Sequence, residues 1–152
     1  MNKVEVGLKR PFELSKLRWR KGHGSGELVY ITARDVMDRL DQVCGTDGWM
    51  DEYAYIGGRM VCKISILTKN MWISKCDGAD DSNIEGAKGG LSDAFKRAAV
   101  KFGVGRYLYH PNAFNSKKEP APWATPEGYD KLMAEREGLE IVQFKEALKA
   151  AA

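Results

Sequence analysis

The stretch Ser82–Gly103, SNIEGAKGGLSDAFKRAAVKFG, decides how the rest of the chain is read. Ser82 with Glu85 three residues later has the form of a capping box, in which each side chain satisfies a backbone N–H at a helix start. Leu91, Phe95, Ala98 and Phe102 recur at steps of three and four, so they line one face of the predicted helix. Lys96 and Arg97 project from other faces, with Lys101 beside them one turn on. Gly103 supplies a residue tolerant of positive φ where the helix must stop. Gly89 and Gly90 each cost about 1 kcal/mol relative to alanine inside a helix, which implies either close approach of another element or a local break in the helix.

Upstream of that helix lies an acidic loop, residues 77–81. Before it, turn signals at Gly57-Gly58 and Lys69-Asn70 separate three strand-like runs, residues 49–56, 60–68 and 71–76. Short turns make consecutive strands neighbours, so these runs predict an antiparallel meander. Thr32 and Asp35 form a second capping box, opening a helix to about Val43 with Val36, Leu40 and Val43 inward. Residues 28–31 read as a short strand ahead of it. The resulting order is an α+β plan: an antiparallel β-meander packed against helices.

The termini are less regular. Residues 1–20 mix apolar and basic side chains without a clean period. Leu14, Leu17 and Trp19 are candidates to dock on the body, leaving Arg18, Arg20 and Lys21 outward. The glycine-rich KGHGSGE that follows has neither the preceding strand nor the Lys-Ser/Thr pair of a phosphate loop, so no nucleotide site is expected. After Gly103 comes an irregular piece around Tyr107 and Tyr109, then a Pro-, Asn- and Ser-rich loop, and from residue 127 one or two helices interrupted at Gly138. The expected division is residues 1–112 as the main domain, 113–126 as a loop, and 127–152 as a C-terminal helical segment, with residues 150–152 frayed.

Bulk properties bound the function. The chain has 152 residues, net charge +3 and 43% hydrophobic residues, enough for one domain with a real core. Residues 1–23 concentrate cations, seven Lys or Arg against Glu5 and Glu13, so an anionic partner is expected. Cys44, Cys62 and Cys76 are too few and too scattered for a disulfide framework or closed zinc site. They are read as buried or inert thiols in a reducing, cytoplasmic setting. No run is long and apolar enough to span a membrane. No catalytic residue, cofactor or metal site is expected. Asp77, Asp80 and Asp81 could serve a metal-dependent nuclease, but acids ahead of a helix N-terminus already have a reason in the helix dipole. The basic surface could equally be a scaffold for an acidic protein. What the chain offers most plainly is cations interspersed with aromatics, the composition that holds single strands through phosphates and base faces.

Two segments, YITARDVMDRLDQVCGTDGW (30–49) and GGLSDAFKRAAVKFG (89–103), with three strands between them, resemble the annealing domain of the Rad52 family over residues 13–112. The resemblance implies a β-β-β-α core, assembly into a ring or helical filament of many subunits, and ATP-independent annealing of complementary strands. A phage or prophage origin would place it in a bacterial host cytoplasm. Lys96 and Arg97 fall on the paired cations of the family's Asp-x-x-Lys-Arg-Ala motif, opened here by Asp93. Tyr30 and Arg20 fall on a groove tyrosine and a cation ten residues before it. Where the well-known eukaryotic member has a third cation, this chain has Val100, with Lys101 adjacent as a substitute. The implied single-stranded DNA ligands are therefore Arg20, Tyr30, Lys96, Arg97 and Lys101. Further implied partners are copies of the chain itself and a phage or host recombination or single-strand-binding protein.

Overall fold

The computed structural model describes residues 1–22, 24, 26–79 and 86–149. The capping pair Ser82 and Glu85, the acids Asp80 and Asp81, His23 and the C-terminal alanines lie outside the described residues. Helix α1 (Lys3–Lys9) leads into a hairpin of β1 (Arg18–Lys21) and β2 (Glu27–Tyr30). Helix α2 (Ala33–Cys44) follows, then a three-stranded antiparallel sheet of β3 (Trp49–Ile56), β4 (Arg59–Thr68) and β5 (Met71–Gly78). Helix α3 (Gly86–Lys101) crosses that sheet, and α4 (Pro126–Glu137) and α5 (Ile141–Lys149) close the chain. The architecture is the expected α+β, antiparallel sheets packed against helices.

Local chemistry accounts for much of it. Thr32 Oγ1 accepts the Asp35 N–H at 3.2 Å while the Asp35 carboxylate accepts the Thr32 N–H at 3.0 Å, a complete capping box for α2. Gly57 and Gly58 turn at φ 59° and 78°, and Lys69 and Asn70 at 49° and 60°, matching the positive-φ turns that join twisted strands. In the ladders Ile66 lies opposite Trp49 and Ile73, and Cys62 opposite Tyr53 and Asp77. Directly opposed residues share a face. Cys62, Ile64 and Ile66 are therefore the stripe of β4 that α3 covers, packing with Ala94, Phe95, Ala98, Ala99 and Phe102. Trp49 meets Phe95 at 5.9 Å between ring centroids. Alanines flanking Phe95 keep α3 close to the sheet.

Several expectations change. Leu91 is 37% exposed, because the buried stripe is centred one turn later on Phe95. A Cβ on Gly90 would stand 3.6 Å from Met60 Cβ, ordinary contact, so close approach does not account for that glycine. Asp77 belongs to β5 rather than to a loop, because β4 is long enough to pair it with Cys62. Leu14 is half exposed instead of docked, while Leu17 packs on the core and Trp19 on Phe114. Cys62 is buried but Cys76 is exposed on the sheet edge. Residues 106–109, read as an irregular piece, form a 3-10 turn.

A second, smaller cluster joins α1 to the C-terminal helices through Val6, Ala134 and Phe144. Arg10 Nε and Nη2 each donate to the Asp130 carboxylate at 2.8 Å, and the Tyr129 hydroxyl donates to the Val6 carbonyl at 2.9 Å. Both links span more than 100 residues of chain, so the C-terminal helices dock on the N-terminal one. Among the described residues no helix is long and apolar enough to cross a membrane.

Candidate nucleic-acid interface

In the β1–β2 hairpin Arg18 is paired with Tyr30 and Arg20 with Leu28. Alternation puts Arg18, Arg20, Leu28 and Tyr30 on one face and Trp19 and Val29 on the other. Arg20 and Tyr30 are diagonal neighbours there, and the Arg20 guanidinium carbon sits 5.5 Å from the Tyr30 ring centroid. From α3, Lys96 Nζ reaches to 5.6 Å from the same ring and donates to the Ile31 carbonyl at 3.3 Å. Tyr30 thus meets two cations, one from its own hairpin and one from α3. A cation near an aromatic face within about 6 Å is held by the ring quadrupole, which orients both without removing their charge.

These residues line a groove of about 550 Å³ between the hairpin, α3 and residues 104–115. Gly103 (φ 98°) and Gly105 (φ 71°) reverse the chain after α3. That reversal lays Val104 under the groove and puts Tyr109, 73% exposed, at its edge. Tyr107 serves the framework instead. Its hydroxyl accepts the Phe12 N–H at 3.0 Å, and burial pushes its pKa up. Along the hairpin, Phe114 packs edge-on against Trp19 at 5.3 Å, and Lys118 pairs with Glu27 at 2.5 Å.

Of the five residues expected to contact a ligand, Arg20, Tyr30, Lys96 and Arg97 line this groove. Arg97 is exposed and lies 3.5 Å from Asp77, a pairing loose and wet enough to be worth no more than about 1 kcal/mol. Its charge therefore stays available to a phosphate. Lys101 lies elsewhere, in a separate hollow with Lys9, Lys75 and Arg106 at the C-terminal end of α3. Lys75 and Arg106 there donate to the Lys101 carbonyl at 3.1 and 2.7 Å, so those two cations cap the helix. Sequence reading left out His110, Phe114 and Asn115, which also line the groove; Phe114 and Asn115 sit in the segment read as a loop and His110 just ahead of it, and no spacing marks them. Among the described residues no group of three or more His, Cys, Asp or Glu side chains could hold a metal ion.

The model of the Rad52/22 family double-strand break repair proteins matches residues 1–122. A single-stranded DNA-binding protein, DdrA, of Deinococcus deserti is 32% identical over 146 residues, covering 84% of this chain and 72% of its own. The DdrA of Deinococcus radiodurans is 32% identical over 117 residues, covering 72% of this chain and 56% of its own. The chain belongs to the Rad52/22 family.

Proposed function

We propose that this Rad52/22-family chain binds single-stranded DNA in the groove between the β1–β2 hairpin and α3, and anneals complementary strands in recombination and repair without ATP. The observation that carries the reading is the Tyr30 ring flanked by Arg20 at 5.5 Å and Lys96 at 5.6 Å inside an open groove, with Arg97 beside it. Cations beside an aromatic ring neutralise phosphates, while the ring face restrains sugar or base without reading sequence. Phosphate-held strands keep their base edges free to find a complement. The reading needs no bond to be made or broken, hence no catalytic side chain.

Assembly belongs to the same proposal. A single groove meets few phosphates, whereas copies arranged in a ring or filament extend one track along the strand. On the sheet face turned away from α3, Met50, Ile56, Leu67 and Trp72 are each at least 40% exposed, a surface suited to contact with another copy.

The test is binding of a labelled oligothymidylate, followed by fluorescence anisotropy across a salt series. Each phosphate contact contributes about 0.7 to the slope of log K against log salt for single strands. Arg20→Ala combined with Lys96→Ala therefore lowers that slope by about 1.4 per subunit. The loss is similar on oligonucleotides of different base composition. A wild-type slope in the folded double variant refutes the groove, and an annealing reaction that runs only with ATP refutes the mechanism.

A further inference from the structure

Among the described residues the rings lining the groove are those of Trp19, Tyr30, Tyr109, His110 and Phe114. All but one are engaged within the chain. Trp19 meets Phe114 edge-on and has Lys118 Nζ at 5.2 Å from its ring centroid. Tyr30 holds Arg20 and Lys96. His110 packs edge-on against Trp123 at 5.0 Å, and its Nδ1 accepts the Asn112 N–H at 3.1 Å. Tyr109 differs: among the described residues no hydrogen bond, ring or cation engages its side chain.

The backbone beneath that free ring is fixed. Tyr109 is the last residue of the 3-10 turn Arg106–Tyr109. Gly105 enters the turn at φ 71°, where a Cβ would stand 3.0 Å from Ile31 Cδ1, so the turn sits against the residue that follows Tyr30. Arg106 donates to the Val100 and Lys101 carbonyls at 2.9 and 2.7 Å. The Tyr107 hydroxyl accepts the Phe12 N–H, and Leu108 packs on the core. The His110 N–H donates to the Tyr107 carbonyl at 3.0 Å. A singly exposed aromatic is ordinary on a protein surface. One mounted on a tethered turn at the edge of a cation-lined groove is preorganised, which spares part of the ordering cost of binding.

We propose that Tyr109 is a base-stacking residue of the groove, its ring taking the face of one base of the strand that Arg20, Lys96 and Arg97 hold by its phosphates. The inference rests on the function proposed above and adds a division of labour. Tyr30, its ring already taken up by cations, serves sugar and backbone, while Tyr109 serves a base. Stacking uses the π-face that every base has, so the contact is indifferent to sequence and leaves the pairing edge open to a complement.

The experiment compares, by anisotropy, a labelled oligothymidylate with an all-abasic strand of the same length, which keeps the phosphates and lacks the bases. Tyr109→Ala weakens oligothymidylate binding about fivefold or more, and oligodeoxycytidylate binding to a similar extent. Its affinity for the abasic strand, its salt slope, its melting temperature and its mass by light scattering stay at wild-type values. Tyr109→Phe, which keeps the ring face, binds oligothymidylate as wild type does. Unchanged oligothymidylate affinity of Tyr109→Ala overturns the proposal, as does an equal loss on the abasic strand or a loss confined to one base. A loss in Tyr109→Phe would make the hydroxyl the contact, and a changed mass would make Tyr109 a contact between copies; either overturns it too. The groove fails separately: Arg20→Ala with Lys96→Ala then keeps the wild-type salt slope, and the stacking site falls with it. If that slope drops while Tyr109→Ala binds normally, the groove stands and only the stacking role is lost.

Discussion

Replacing Asp130 by alanine removes the one carboxylate that Arg10 engages, and the structure sets the size of the effect. The Asp130 side chain is 2% exposed and that of Arg10 27%, with both bonds at 2.8 Å. Breaking a fully buried pair on one side costs about 3–5 kcal/mol, because the surviving charge is left without a partner. Water reaches Arg10 through its exposed quarter, which lowers the figure to about 2–3 kcal/mol. Arg39 works against that relief, since its own guanidinium is close enough for Arg10 to depress its pKa. For a domain of this size each kcal/mol shifts the melting temperature by about 2–4 °C, so Asp130→Ala melts about 4–12 °C lower. Thermal unfolding followed by circular dichroism measures it. The double variant Arg10→Met with Asp130→Leu removes both charges and recovers most of the loss. A melting temperature within about 2 °C of wild type for Asp130→Ala refutes the reasoning. A double variant no better than the single one would show that packing, and not the stranded charge, was the cause.

Two further outcomes follow from burial and exposure. Cys44 and Cys62 both have thiol pKa values pushed up to about 11 by burial, whereas Cys76 is exposed, so a disulfide reagent at neutral pH titrates Cys76 quickly, the half-buried Cys44 slowly and Cys62 only on unfolding; rapid reaction of all three in the folded protein contradicts this packing. Trp72→Glu puts a charge on the exposed apolar sheet face, and light scattering should find a large assembly for wild type and a much smaller species for the variant, at similar secondary-structure content; equal masses would remove that face from the assembly.

Determinants acting within a few residues were legible in the sequence. The Thr32–Asp35 box, the positive-φ turns of the meander and the three-four spacing around Phe95 each satisfy backbone groups or bury a stripe locally, so the same residues form the same elements in the fold. The family segments at 30–49 and 89–103 were legible for the same reason, being contiguous in sequence. Helix α1 was not: seven residues are too few to be stable alone, and it exists because Val6 and Leu8 are buried against partners far along the chain. Nor did composition reveal that Asp130 would hold Arg10 across 120 residues, or that the Pro-rich segment would put Phe114 against Trp19. The cations of α3 show the division most clearly. Five residues separate Lys96 from Lys101, about 140° around a helix, so the two point toward different neighbours. The sequence reading set Lys101 beside Lys96 and Arg97 as a further groove cation, although helix geometry by itself already turns it away from Lys96. Only the tertiary structure decided which of them meets Tyr30, because that depends on which side of α3 the hairpin occupies, and the hairpin is held there by long-range packing that no local pattern records.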